Sequence, residues 1–265
     1  MAERSRSGDA SETDPSDLPE PPEVELLLDD PELTDRWIAG RVLVRAGRQG
    51  LVLDDLEMRL VADAYSHRGK RFEMTIHGLV VDVTSGTLAP GEERQAGFRG
   101  SLSWECPFTE YDGRAFDFEV AVRAWLRTTP PRKGGIRHRI PLRVPPTPAV
   151  RATVAAFAGL GYVERSARVI DERIPESEQY HQGHQSLFLT DPTRGDRDLP
   201  RLELSFVTNQ VGTFVHLRRA APGKYRWESR PRTVTLAVAH HEADRTDLTA
   251  RANAALARLR LLERA

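Results

Sequence analysis

Two short segments of this sequence set imidazoles close together: Tyr180-His-Gln-Gly-His184, and His240-His241-Glu242 with Asp244 just beyond. Zinc takes nitrogen and oxygen ligands of these kinds, so a fold that joined His181, His184, His240 and His241 could hold a metal and activate a water. That arrangement would make the protein a hydrolase or another metal-dependent enzyme. A His-x-x-His beside a glycine in a polar stretch is equally what solvated loops carry, and the two pairs lie far apart in the sequence. Neither pair is therefore assigned to a metal. Cys106 is the single cysteine and stands between Glu105 and Pro107, where a neighbouring carboxylate disfavours the thiolate that a nucleophile requires. No Gly-x-Ser-x-Gly elbow occurs, and Gly69-Lys-Arg and Gly223-Lys-Tyr lack the Ser or Thr that follows the lysine of a phosphate-binding loop. Asp29-Asp30 and Asp54-Asp55 fall at turn and strand edges, where carboxylates solubilise. The expectation is no catalytic residue, no cofactor and no enzyme.

Positive charge is more informative. Arg127, Arg132, Lys133, Arg137, His138, Arg139 and Arg143 flank the reversal at Gly134-Gly135. Arg218, Arg219, Lys224, Arg226, Arg230 and Arg232 follow later, with Tyr225 and Trp227 interleaved. Guanidinium groups among aromatic rings hold phosphates and stack on bases, and they attract acidic protein segments equally well. Arg132, Lys133, Arg137, Arg139, Arg218, Arg219, Arg226 and Arg230 are the candidate partner contacts. A formal net charge of −1 over 265 residues gives no global attraction to nucleic acid, so a protein partner is expected first and a nucleic-acid-binding regulator is the further alternative.

The elements that must position these residues show as two periods. From Val24 to Val144 apolar residues alternate, as in Leu56, Met58, Leu60 and Ala62 against Asp55, Glu57, Arg59 and Asp63. Phe116, Phe118, Val120, Val122, Ala124 and Leu126 give the longest alternation. These are antiparallel strands with one dry and one wet face. The phase slips near Gly78, which predicts a β-bulge there. Pro145 and Pro146 end the last strand, Thr147 offers an N-cap oxygen, Pro148 fits the first helical position, and Gly159 and Gly161 stop a short helix striped by Val150, Val154, Phe157 and Leu160. Beyond it, five strand-like runs lead to a final helix over about Asp247 to Glu263, with Leu248, Ala252, Leu256, Leu259 and Leu262 near helical spacing. Residues 1–22 are Ser, Asp, Glu and Pro with little apolar content, which predicts a disordered acidic tail able to meet a basic partner. The expected division is that tail, a β-sandwich domain over 23–144, and an α+β domain over 145–265. Hydrophobic residues at 39% and charged ones at 29% describe an ordinary soluble protein, and the single cysteine fits a reducing compartment. No apolar run is long enough to span a bilayer and the start is too polar for a signal peptide, so a cytoplasmic protein is expected. Unpaired sheet edges can pair with a second copy of the chain, giving a homodimer, or with an extended peptide.

Several segments carry a family resemblance. Gly40-Arg-Val-Leu-Val44, Leu56-Glu-Met-Arg-Leu60, the turn Leu88-Ala-Pro-Gly-Glu92, Phe98 through Pro107 and Phe116 through Leu126 resemble, in that order, the N-terminal domain of arrestin-like proteins. Val144-Pro-Pro-Thr-Pro-Ala-Val-Arg onward to Tyr162, and Leu199-Pro-Arg-Leu-Glu-Leu-Ser-Phe206, are similar to the bacterial sporulation-control protein family. The resemblance implies an arrestin-like fold and a non-enzymatic, regulatory or adaptor function in a bacterial signalling or developmental pathway. Ser101-Leu-Ser-Trp-Glu-Cys-Pro107 departs from the family pattern, lacking its Pro-Phe before the strand.

Overall fold

In a computed structural model the described residues are 21–31, 33, 36–82, 85–129, 135–190, 201–220, 232–245 and 247–264. The acidic stretch 1–20 lies outside them. The first half is built from β1 (Glu23–Leu28), β2 (Trp37–Arg45), β3 (Leu51–Tyr65), β4 (Arg71–Val81), β5 (Gly86–Leu88), β6 (Glu93–Ser101), the short hairpin β7 (Glu110–Tyr111) and β8 (Arg114–Ala115), β9 (Val120–Thr129) and β10 (Ile136–Leu142). Strands β1, β2 and β6 make one antiparallel layer, and β10, β9, β3 and β4 make the other. Their inward residues are the alternating apolar ones: Leu26, Ile38, Val42 and Phe98 meet Leu56, Met58, Leu60, Val122 and Leu126, all buried in one apolar cluster.

Strand β4 belongs to both layers. It pairs with β3 from Arg71 to Leu79, and then Val80 and Val81 pair with β6. The turn of the corner is prepared by a bulge at Ile76, which has no partner between the pairs Thr75–Val61 and His77–Leu60. The extra residue shifts the buried set from Met74 and Ile76 to Leu79. The bulge thus lies two residues before Gly78, because the apolar phase changes where the unpaired residue enters and not where the small one stands.

The second half begins with α1 (Pro148–Gly159). Pro148 opens the helix as expected, but the Thr147 hydroxyl makes no capping bond. Gly161 closes it: with φ +88 it donates to the Ala158 carbonyl at 2.9 Å while Tyr162 donates to that of Phe157 at 3.0 Å. A five-stranded antiparallel meander follows, β11 (Val163–Ile170), β12 (His184–Thr190), β13 (Arg201–Thr208), β14 (Gly212–Ala220) and β15 (Val234–Ala239). Leu187, Leu204, Leu217, Val234 and Leu236 form its apolar face, against which α1 and the final helix α2 (Thr249–Arg264) are set. Leu248, Ala252, Leu256 and Leu259 are buried, and Leu262 is exposed. As strand pairing, the meander meets the first half at a parallel bridge, Ile170 beside Tyr65, with the Asp171 amide donating to the Tyr65 carbonyl at 3.0 Å. The architecture is mainly β: an antiparallel sandwich followed by a smaller α+β portion with a C-terminal helix.

Candidate partner-binding site

Inward positions of β9 are apolar, so its outward positions 123, 125 and 127 are free to be polar; they are Arg123, Trp125 and Arg127. Strand β10 lies antiparallel beside it and sets Arg137 directly opposite Trp125. The three guanidinium carbons stand over the indole at 4.7 Å for Arg127, 5.1 Å for Arg137 and 5.9 Å for Arg123. Ring quadrupole and cation attract each other, each such contact contributing on the order of 0.5–1 kcal/mol at a surface. Gly135, with φ +63, permits this approach: a Cβ there would run into the indole and the Leu126 carbonyl. Arg123 is nearly buried and paired with Glu73. Arg127 and Arg137 are exposed, and no carboxylate among the described residues pairs with either, although Asp55 stands opposite Arg127 in the ladder. The result is a half-buried indole carrying two solvent-facing cations that form no ion pair among the described residues, with Asp55 and Glu57 as the cross-strand neighbours of Arg127 and Trp125.

Arg139, one pair further along β10, is different. It bridges Asp63, Glu73 and Glu119 at 3.2, 3.5 and 3.4 Å, while Arg71 holds the other oxygen of Asp63 at 3.0 Å. Burial alone would raise the Asp63 carboxyl, but the Arg71 hydrogen bond, the Glu119 amide and Arg139 together hold it below the ordinary value. This network ties β3, β4, β9 and β10 together across their outer face. Arg218 is also engaged within the chain, donating to both oxygens of Glu203 at 2.7 and 3.0 Å. Glu203 is 1% exposed, and the Ser186 hydroxyl donates to it at 2.8 Å. Arg219 is exposed on the next position of β14. Arg132, Lys133, Arg226 and Arg230 lie outside the described residues.

The histidines separate into different environments. His184 is buried on β12 with Nδ1 sharing a 2.7 Å hydrogen bond with the Glu172 carbonyl, and burial pushes it down to about 4. His181 shares a 2.7 Å bond with the Ser103 hydroxyl. His240 stacks on Trp104 at 5.2 Å and bonds the Asn209 carbonyl at 2.9 Å. Among the described residues no three His, Cys, Asp or Glu side chains are grouped so as to hold a metal ion. His181 and His240 instead reach across the joint between the halves. Glu105 receives the Tyr180 and His181 amides at 2.8 Å each, Arg36 lies over Trp104 at 4.7 Å, and the buried Gln185 amide exchanges two 2.9 Å bonds with the Phe108 backbone. Cys106 is buried in the same joint, and burial pushes its thiol up to about 12.

Trp125 was not singled out from the sequence. The available signal was its phase: a tryptophan on the wet side of an alternating strand, with arginine two residues away on either side.

Strand order, the corner at β4 and the helix-covered meander define an arrestin-like fold, and comparison with known proteins agrees. The family model described as SpoOM protein, Spo0M, matches residues 21–219, and this chain belongs to that family. The crystal structure of Spo0M, the sporulation control protein from Bacillus subtilis, superposes with a TM-score of 0.67 at 20% identity, over 92% of this chain and 98% of that one. No curated protein sequence matches. Among the described residues no helix is long and apolar enough to cross a membrane.

Proposed function

We propose that this Spo0M-family protein is a non-catalytic cytoplasmic adaptor that regulates a bacterial signalling or developmental pathway through protein contacts. The observation that carries this reading is the pair of exposed arginines, Arg127 and Arg137, fixed over Trp125 and forming no ion pair among the described residues. An aromatic anchor flanked by arginine is the composition that dominates binding energy in protein interfaces. The strands hold it rigid, so little side-chain entropy is lost when a partner docks. The buried state of Cys106 and the separate engagements of His181, His184 and His240 support a binding role over an enzymatic one.

The test is a crosslinking capture from the native cytoplasm with the wild-type chain beside Arg127→Glu/Arg137→Glu. A protein retained by the wild type and lost by the variant is expected. Equal retention by both moves the interface elsewhere, and no retention by either removes the adaptor reading. Arg218 and Arg139 are unsuitable positions for such a test, because charge reversal there breaks internal ion pairs and changes the fold along with the surface.

A further inference from the structure

The sequence before β1 is strongly acidic. Between Gly8 and Glu25 it holds Asp9, Glu12, Asp14, Asp17, Glu20, Glu23 and Glu25 with no basic residue. Topology gives the direction from which this stretch reaches the folded part. Glu23, the first residue of β1, stands opposite Arg45 at the end of β2, and β3 starts at Leu51, where Val52 pairs with Thr129 at the end of β9. Strand β1 also runs beside β10: the Leu26 amide donates to His138 Nδ1 at 3.0 Å, and His138 is the neighbour of Arg137. The chain preceding β1 therefore meets the sandwich at the end that carries Trp125, Arg127 and Arg137.

We infer that the acidic stretch Asp9–Glu20 of this same chain docks on the Trp125–Arg127–Arg137 surface and shields it. Charge sign, path and reach all agree. Among the described residues the two exposed guanidinium groups form no ion pair, with Asp55 and Glu57 as acidic cross-strand neighbours of Arg127 and Trp125; the stretch supplies five carboxylates within twelve residues, and nine residues of extended chain cover about 30 Å. Leu18 and Pro19 give the stretch an apolar point that the indole can cover. Contacts between exposed charges are weak singly and salt-sensitive, so the docked stretch exchanges readily with an acidic partner segment offered at higher effective concentration. This inference goes beyond the adaptor reading and does not depend on it, since it concerns the chain alone.

The experiment uses the full chain with Ser16→Cys carrying a nitroxide label; Cys106, buried and with its thiol pushed up to about 12, stays unlabelled. The indole N–H signals of the four tryptophans are read by NMR, with Trp125 assigned through Trp125→Phe. Selective loss of the Trp125 signal is expected in dilute buffer. It returns in about 1 M salt, where the screening length is about 3 Å. It also returns in Arg127→Gln/Arg137→Gln, and in a chain with the five acidic residues changed to amides, which leaves the folded part untouched. A Trp125 signal of normal intensity in dilute buffer overturns the inference. So does broadening spread evenly over all four indoles, or broadening that persists in the two neutralised variants. Because no partner enters the measurement, its failure leaves the adaptor reading standing, and the capture experiment can fail while this one succeeds.

Discussion

His184 and His216 are held without their protons. Burial pushes both down to about 4 from an ordinary 6.5. The unfolded chain takes up protons at these positions as pH falls below 6.5, and the folded chain does not until about 4. Stability is therefore complete above 6.5 and declines between 6.5 and 4, by at most about 1.4 kcal/mol per pH unit per histidine. Urea unfolding at a series of pH values checks this: a midpoint level from pH 8 to 7 that falls on acidification is expected, with a shallower slope in His216→Gln, where His77 and His181, also lowered by burial, still contribute. The burial behind this behaviour was not readable from the sequence. In Leu202-Glu-Leu-Ser-Phe206 the alternation marks Glu203 and Ser205 as a wet face, yet both are buried, because alternation reports that two faces differ and not what lies over the polar one. Arg218, expected as a surface contact, is drawn inward by Glu203. Trp125 and Arg137 are outward because they occupy paired positions on the outer face of β9 and β10.

Elements obeyed local rules more closely. The stripe on α1, the alternation on β2, β3 and β9, and the proline break before α1 were all legible, because each depends on neighbours within a few residues. The limits of α1 show how far such rules reach. Thr147 occupies the position before the helix with extended geometry, but its hydroxyl bonds nothing, whereas Gly161 adopts a left-handed turn that closes two bonds. Thr147→Ala is therefore expected to change stability by less than about 0.5 kcal/mol, where a working cap contributes about 1. Gly161→Ala is expected to lose about 1 kcal/mol, through the strain of a side chain at φ +88. Thermal unfolding of the two variants beside the wild type distinguishes them. The bulge was found from its phase slip and misplaced by two residues, since glycine is a frequent companion of bulges and not their cause.

For the whole molecule, the sequence of elements gave the arrestin-like order, while the joint between halves stayed hidden: its contacts link residues about 75 apart, such as Gln185 and Phe108. That amide acts as a surrogate strand, giving one donor and one acceptor to a backbone that has no ladder partner there. Gln185→Ala leaves a buried N–H and a buried C=O without partners, and a loss of about 2–4 kcal/mol is expected. Calorimetry checks it, and a single transition that splits into two identifies the joint as the element that makes the halves unfold together. Edge-to-edge homodimerisation has two protections to overcome. The outward Leu26 amide of β1 is taken by His138, and the outward Ala237 carbonyl of β15 by Arg251. Light scattering over a wide concentration range decides whether a second copy displaces them.

The 15-residue strand β3 carries a further consequence, which concerns the order of synthesis. Its first flank is filled promptly by β4, the next element to leave the ribosome, and then by β5. Its second flank waits for β9, more than fifty residues downstream, and for Ile170 after that. Throughout that interval the nascent chain presents an unpaired backbone edge together with Leu56, Met58 and Leu60, whose covering layer is unfinished. A nascent chain that has emerged past residue 81 but not yet to residue 120 thus exposes this edge to a chaperone.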